Sequence, residues 1–168
     1  KISRGHFFKI AIWYLINNLI IYSFFPSSKL RIFLLKLFGA KIGKNVVIHP
    51  YTSIKYAWKF EIGDDSWVGA RVWVDNIHEV KIGKNCCISQ EVYFCTGNHN
   101  YKKELFDLIL KSIIIEDDCW LAAKSIISPG SILKKGSIAS LGAVVSGTLK
   151  QDGIYKGNPS KFFKLRYD

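Results

Sequence analysis

One period runs through most of this chain: from residue 42 onward, an apolar side chain recurs every six residues. A small or β-branched residue follows most of these positions four residues later. A period of six fits neither an α-helix nor an alternating strand, but it fits a short strand plus a turn, three of which close one coil of a triangular β-solenoid. The sequence therefore predicts an all-β parallel solenoid of about five coils. Its inward positions are Ile42, Ile48, Ile54, Ile62, Val68, Val74, Ile82, Ile88, Phe94, Ile115, Leu121, Ile127, Leu133, Ala139 and Val145.

The spacing between the coils predicts where the chain leaves the solenoid. Successive coils are joined by steps of eight, eight, twenty-one and six residues, so the excess residues all fall at one corner of the triangle. That corner carries two short bulges, 56–59 and 76–79, and one long loop, 100–112, with His99 at its base. Because loops on rigid scaffolds often carry function, His99 is the first candidate functional residue.

The first 38 residues do not follow the period. The run 7–25 is apolar and about as long as a membrane span, yet it contains Lys9, Asn17 and Asn18. We therefore expect a mainly helical N-terminal segment over residues 1–38, a solenoid domain over 39–153 and a basic tail over 154–168. Residues 1–28 either contact a membrane surface peripherally or pack on the rest of the protein.

Charge is distributed unevenly: the net charge is +11, and residues 1–60 contain ten Lys or Arg and no Asp or Glu. An anionic partner is one interpretation and a solubilising surface is the other. Nucleic-acid binding is disfavoured because the aromatic residues are not interleaved in a basic stripe. The four cysteines lack CxxC or metal-ligand spacing, which predicts free thiols, no metal site and a cytoplasmic location.

Several segments carry a resemblance to a known family. They are RIFLLKLFGAKIGKNV (31–46), WKFEIGDDSWVG (58–69), EVKIGKNCCISQ (79–90), CTGNHNY (95–101), FDL (106–108), IIIEDDCWLAA (113–123) and GNPSKFFKLR (157–166). The chain resembles the hexapeptide-repeat acyltransferases, in particular the colanic-acid and exopolysaccharide biosynthesis acetyltransferases. The resemblance implies a left-handed parallel β-helix, acetyl-CoA as co-substrate, a homotrimer with active sites between subunits, and O-acetylation of a sugar of a surface polysaccharide or its precursor.

The same resemblance assigns roles in the reaction. The histidine of the TGxH-like segment is the general base in such enzymes, and His99 matches it. Histidine suits this chemistry because it changes protonation near neutral pH. Glu79, in the bulge of the preceding coil, is the candidate for the residue that orients the imidazole, and Asp75 is the competitor. The predicted substrate-binding residues are Asp75, Asn76, Asn98 and Trp120.

For the cofactor, the resemblance implies a groove along the later coils for the pantetheine arm and basic residues after GNPSK for the phosphates, with Arg166 among them. Related chains often carry a valine-threonine-lysine segment after the last coil, whereas this chain has Val145-Ser146-Gly147. The hydroxyl is kept and the lysine is lost. The predicted cofactor-binding residues are Ala122, Ala123, Gly142, Ala143, Ser146, Lys161 and Lys164.

Two other functions are weighed against this one. Carbonic anhydrases of the γ type share the scaffold but need two histidines five residues apart, and Glu104 stands five residues after His99. A non-catalytic β-helix that serves as a scaffold at a membrane surface is the second alternative, and it predicts no binding of acetyl-CoA.

Overall fold

A computed structural model describes residues 4–168, with side chains from residue 7 onward. Helices are confined to the N-terminal part: α1 (Arg4–Ile16) continues into a π-helical turn (Asn17–Ile21), and α2 (Ser28–Leu37) follows. Residues 1–3 of the predicted N-terminal segment lie outside the described residues. The mainly helical character predicted for the rest of that segment is confirmed.

The remainder is built of short strands, most of them two or three residues long. In the first three coils these are β1 (Lys41–Ile42), β2 (Val47–Ile48), β3 (Ser53–Ile54), β4 (Phe60–Ile62), β5 (Trp67–Val68), β6 (Trp73–Asp75), β7 (Val80–Ile82), β8 (Cys87–Ile88) and β9 (Tyr93–Cys95). The strands that follow are β10 (Gly97–His99), β11 (Leu108–Leu110), β12 (Ile113–Ile115), β13 (Trp120–Leu121), β14 (Ile126–Ile127), β15 (Ile132–Leu133), β16 (Ile138–Ala139), β17 (Val144–Val145), β18 (Thr148–Leu149), β19 (Gly153–Lys156) and β20 (Lys161–Leu165).

Three parallel sheets form the faces of the prism. Sheet 1 has the order β1-β4-β7-β12-β15-β18, sheet 2 the order β2-β5-β8-β13-β16-β19-β20, and sheet 3 the order β3-β6-β9-β14-β17. Register follows the predicted repeat, with Ile42 beside Ile62 and Ile48 beside Val68. All fifteen periodic side chains are buried. The predicted solenoid is therefore confirmed.

The excess residues fall at the single predicted corner, where the chain passes from sheet 3 to sheet 1; we call it the loop corner. A short 3-10 turn (Ala57–Lys59) occupies the first bulge. The long insertion is more ordered than a loop, because β10 and β11 pair as an antiparallel hairpin with His99 opposite Leu108. The chain thus leaves the coil near residue 97 and not at residue 100.

A sixth turn follows the five predicted coils. Leu149 of β18 is buried in sheet 1, and β19 extends sheet 2 beside β16. The six-residue period does not reveal this turn in the sequence. Leu149 follows Leu133 by sixteen residues, and Tyr155, which is not aliphatic, pairs with the inward-facing Ala139. Residues 154–168, expected as a tail, end in β20, which pairs antiparallel with β19.

Asparagine and aspartate shape the corner between sheets 1 and 2. Asn45, Asp65, Asn85 and Asp118 have φ between 52° and 61°, the left-handed region that these residue types tolerate best. Their side chains also link successive coils, since Asn45 Nδ2 donates to Asp65 Oδ1 (2.9 Å) and Asn85 Nδ2 to Asp118 Oδ1 (2.8 Å). The turn conformation and the contacts between coils are therefore supplied by the same side chains.

The N-terminal helices cover the open end of the first coil. Trp13 is fully buried and its Nε1 donates to the carbonyl oxygen of Ile54 (3.1 Å), while Ser28 Oγ accepts from Ile48 N (2.9 Å). Arg31, also buried, donates to the carbonyl oxygens of Ile21 and Ser23 and so fixes the turn between the helices. These contacts shield strand edges that would otherwise invite pairing with another chain.

Among residues 4–168, no helix is long and apolar enough to cross a bilayer.

Replacing Gly63 by Ala tests the close approach of the coils. A Cβ on Gly63 would lie 2.8 Å from the carbonyl carbon of Gly83 in the next coil, whereas a Cβ on Gly97 would meet only side-chain methyl groups at ordinary contact distance, the nearest being Ile77 Cδ1 at 3.4 Å. We expect Gly63→Ala to lower the free energy of unfolding by about 1–3 kcal/mol through overpacking. Gly97→Ala should leave it nearly unchanged. Denaturant unfolding of both variants checks this, and equal stabilities would contradict the account.

Candidate functional site

The loop corner positions His99 through the residues that precede it. Thr96 is fully buried; its Oγ1 donates to the carbonyl oxygen of Asp75 (3.0 Å) and accepts from His78 N (2.9 Å). The threonine of the TGNH segment therefore ties the base of the hairpin to the bulge of the preceding coil. His99 lies three residues later at the end of β10, with its side chain exposed.

The His99 imidazole has one defined partner: its Nδ1 lies 2.6 Å from the carbonyl oxygen of Phe106. A carbonyl oxygen only accepts hydrogen bonds, so Nδ1 carries the hydrogen and the neutral ring leaves Nε2 as an acceptor. The hairpin thus fixes the tautomer in which Nε2 is able to take a proton.

Phe106 has an unusual backbone conformation, with φ of 47°. Such values are outliers for bulky side chains, and they cluster at functional sites where surrounding contacts hold them. Here Phe106 N donates to the carbonyl oxygen of Lys103 (3.0 Å), and Lys103 Nζ forms an ion pair with Asp107 (2.7 Å). The closed hairpin tip therefore directs the Phe106 carbonyl at the imidazole.

The two carboxylates predicted near the imidazole have other partners. Glu79 is paired with Lys81 (3.0 Å), and that hydrogen bond, with the lysine charge, lowers the pKa of Glu79. Asp75 is paired with Lys55 (2.8 Å). Burial alone would lower the pKa of Lys55, but the hydrogen bond and the charge of Asp75 raise it. The Phe106 carbonyl, and not Glu79, is the partner of His99 Nδ1 in this chain.

Asn76, predicted to bind substrate, has a structural role instead. Its side chain is fully buried; Oδ1 accepts from Tyr56 N (2.9 Å) and Nδ2 donates to the carbonyl oxygen of Tyr56 (2.8 Å). It closes the bulge of the preceding coil and has no exposed group for a ligand. Asn98 is exposed, and its Oδ1 accepts from His99 N (2.8 Å).

A groove lies at a different corner, where the chain passes from sheet 2 to sheet 3; we call it the groove corner. Trp120, Ala122 and Ala123, all predicted, line it. Trp120 Nε1 donates to Ser89 Oγ (3.0 Å). Sequence reasoning missed the other lining residues: Ser89, Gln90, Ile138, Ser140, Leu141 and Ile154. The repeat itself could have identified Ser89 and Gln90, because stacking of the coils pairs Ile88 with Leu121 and so places these two residues over Ala122 and Ala123.

Two of the predicted phosphate ligands lie on β20. Lys164 and Lys161 are exposed, and Lys164 pairs across the antiparallel ladder with Ile154, which lines the groove. Cross-strand partners share a face of the sheet, so Lys164 lies beside one end of the groove. Arg166 is different, because its Nη1 donates to the carbonyl oxygens of Asp118 (2.9 Å) and Gly136 (3.4 Å). This nitrogen anchors the end of the chain, and the assignment of Arg166 to the phosphates stays a prediction.

The remaining cofactor predictions divide between the corners. Gly142 lies in an exposed turn at the groove corner, with nothing within 4 Å of where a Cβ would stand. Ala143 is a core residue; its N donates to the carbonyl oxygen of Ser140 (3.0 Å), and its own carbonyl oxygen accepts from Ile126 N of the preceding coil (2.9 Å). Its prediction as a cofactor ligand was wrong because inward and outward small residues look alike in the sequence. Ser146 is exposed at the loop corner, after β17.

One chain therefore does not bring all the predicted site residues together. His99 belongs to the loop corner, whereas Trp120, Ala122 and Ala123 belong to the groove corner, and sheet 3 separates the two. In the part of the chain that the structure describes, no group of three or more His, Cys, Asp or Glu residues is placed to hold a metal ion.

A β-helix of six-residue repeats, with a histidine hairpin at one corner and a groove lined by small residues at another, defines a hexapeptide-repeat acyltransferase. Sequence comparison agrees: the chain is 36 % identical over 166 residues to the colanic acid biosynthesis acetyltransferase WcaF of Escherichia coli (strain K12), covering 98 % of this chain and 91 % of the relative. The chain belongs to this family of hexapeptide-repeat acetyltransferases. A scan of protein-family models finds no match.

Solved structures share the fold. An acetyltransferase from Vibrio cholerae O1 biovar eltor in complex with acetyl-CoA superposes with a TM-score of 0.89 at 21 % identity, covering 99 % of this chain and 91 % of the other. A galactoside acetyltransferase in complex with coenzyme A superposes with a TM-score of 0.86 at 19 % identity, covering 99 % and 84 %. The coil of this chain is left-handed, as the resemblance implied.

Replacing Asn76 and Asn98 by Ala separates their roles. Asn76→Ala leaves the partly buried N–H of Tyr56 without its acceptor and removes one of the two donors to the Tyr56 carbonyl oxygen, so we expect a loss of about 1–3 kcal/mol in the free energy of unfolding. Asn98→Ala removes an exposed contact and should cost well under about 1 kcal/mol. Chemical denaturation measures both, and a larger loss for Asn98→Ala would refute the assignment.

Proposed function

We propose that this protein transfers an acetyl group from acetyl-CoA to a sugar hydroxyl of a surface polysaccharide or its precursor. The observation that carries the proposal is the His99 imidazole, whose Nδ1 is held by the Phe106 carbonyl while the ring is exposed at the loop corner. The family supplies the reaction type, because the relative WcaF is named as a colanic acid biosynthesis acetyltransferase.

His99 acts as the general base in this mechanism. Nε2 takes the proton from the acceptor hydroxyl while the hydroxyl oxygen attacks the acetyl carbonyl carbon. Both ring nitrogens of the imidazolium that results donate hydrogen bonds, and the Phe106 carbonyl stabilises it by accepting from Nδ1. Nε2 afterwards returns the proton to the departing sulfur. Bound acetyl-CoA supplies the thioester, and no acyl-enzyme is needed when both substrates are bound together.

The groove corner has the features that a coenzyme A chain needs. Ala122 and Ala123 leave an open channel beside the indole of Trp120, and exposed Lys164 and Lys161 stand on the strand next to its end. Small side chains suit a long, thin pantetheine arm, and lysines attract phosphates as point charges. The proposed binding mode therefore runs from β20 along the groove towards Trp120.

A second copy of the chain completes the proposed site. His99 and the groove lie on different corners of one prism, so acetyl transfer requires that the loop corner of one subunit meets the groove corner of another. The outer face of sheet 3 between these corners supports such packing, because Trp73 stacks on Tyr93 (4.6 Å) and Ile126 and Val144 continue the apolar ladder. We propose a homotrimer with three shared sites.

His99→Ala tests the proposed base. We expect kcat for thiol release from acetyl-CoA, measured with sugar acceptors, to fall about 10²- to 10⁴-fold. Acetyl-CoA binding by calorimetry should stay unchanged, since the groove is intact. His49→Ala is the matched control: His49 lies on the first coil, where its Nε2 accepts from Trp67 (2.9 Å), and its loss should leave most of the turnover. If no variant and no wild-type protein binds acetyl-CoA, the non-catalytic scaffold function replaces this one.

Mixing two inactive variants tests the shared site. His99→Ala lacks the base and Ala123→Trp fills the groove, so each homotrimer alone should be inactive. When the two are unfolded, mixed in equal amounts and reassembled, about a quarter of the sites combine an intact base with an intact groove. Recovered turnover near that fraction supports sites between subunits. No recovery from mixtures that light scattering shows to be trimeric would place both halves of each site in one subunit.

A further inference from the structure

The outer side of the N-terminal helices is apolar. Helix α1 and the turn after it expose most of several large side chains; Phe8 is 62 % exposed and Leu19 66 %. Two large apolar residues of α2, Phe33 and Leu37, are exposed as well. This N-terminal apolar surface consists of Phe7, Phe8, Ile12, Leu15, Leu19, Phe24, Phe33 and Leu37.

The inner side of α1 is apolar as well. Trp13 and Ile21 are fully buried against the first coil, with Asn17 between them. A helix that is apolar on all sides is normally buried on all sides, and monomeric proteins seldom expose contiguous apolar surface of this kind. The N-terminal apolar surface therefore requires a partner that covers it.

Charge indicates which partner fits. Lys29 and Lys36 are exposed on α2, Lys9 of α1 lies over the ring of Trp58 (4.6 Å), and no Asp or Glu occurs before Glu61. Two such surfaces would repel each other, whereas an anionic surface would be attracted. The combination of bulky apolar side chains and lysines without acids is typical of helices that lie in a membrane interface.

The exposed polar groups of α1 and of the turn after it are compatible with a nearby lipid surface. Asn18 donates from Nδ2 to the carbonyl oxygen of Tyr14 within the same helix (2.8 Å), which lowers the cost of removing the amide from water. Tyr14 and Tyr22 are also exposed, and tyrosine favours the boundary between acyl chains and headgroups.

We propose that the N-terminal apolar surface binds a bilayer that carries anionic headgroups. The helices lie in the plane of the interface, with the phenylalanine and leucine side chains among the acyl chains and the lysines at the headgroups. The solenoid then projects from the membrane, since α1 covers the first coil through Trp13 and β3.

One consequence rests on the proposed function. Strand β9, which leads to His99, lies two strand spacings from β3, or about 10 Å along the solenoid. The base is thus held close to the membrane, within reach of a sugar attached to a lipid. This geometry favours a lipid-linked acceptor over a free sugar.

Co-sedimentation with vesicles tests the surface directly. The full chain is mixed with vesicles of phosphatidylcholine alone or with phosphatidylglycerol added, and neither mixture contains acetyl-CoA. We expect binding to the anionic vesicles, and a loss of at least tenfold in the partition coefficient for the double variant Phe8→Glu and Leu15→Glu. The matched control is Leu105→Glu with Tyr167→Glu, which changes the charge equally at two exposed apolar residues outside this surface. The control should bind like the wild type.

Three outcomes would overturn the proposal. If the wild-type protein stays in the supernatant with anionic vesicles, the proposed membrane binding is wrong. Equal losses in both double variants would show an effect of charge alone. A lower oligomeric mass of the Phe8→Glu and Leu15→Glu protein in light scattering, with an unchanged circular dichroism spectrum, would assign the surface to contacts between copies. Since no acetyl-CoA is present, these results are independent of the acetyl transfer assay.

Discussion

The column of inward side chains along the solenoid axis is the constraint on which the rest of the structure depends. Each of the five predicted coils contributes three inward apolar side chains, such as Ile62, Val68 and Val74, and each stacks on its equivalent in the neighbouring coil. Inter-coil backbone hydrogen bonds require the same register at every turn. Insertions are therefore not tolerated within the three sheets and occur only at a corner between them. In this chain the insertions all lie at the loop corner, and the longest carries His99.

This arrangement also explains the chemistry of the hairpin. A rigid prism by itself offers flat faces, and a base needs a defined tautomer and an open approach. The buried Thr96 fixes the hairpin to the preceding coil, and the strained backbone at Phe106 turns a carbonyl towards Nδ1 of the imidazole. The same rigidity separates His99 from the groove of Ala122 and Ala123, because corners of a prism do not approach one another. The proposed homotrimer would unite them.

The periodicity was sufficient to predict the fifteen inward positions, the loop corner and the place of His99. It was not sufficient for groups whose role depends on atoms that the sequence does not distinguish. The Phe106 carbonyl is one, since every residue carries such a group, and the turn that directs it arises from tertiary contacts. Asn76 and Ala143 were misassigned for the opposite reason: polar and small residues serve buried turns and core positions as readily as ligands. The exposed apolar side of α1 also could not be predicted, because its two sides are equally apolar in sequence.

A crystal structure of the assembled protein with coenzyme A would test the central claim most directly. The account predicts that the cofactor lies in the groove corner of one subunit with its sulfur within about 4 Å of His99 Nε2 from a neighbouring subunit. Coenzyme A bound with its sulfur far from every His99, or held entirely along the loop corner of a single chain, would contradict it.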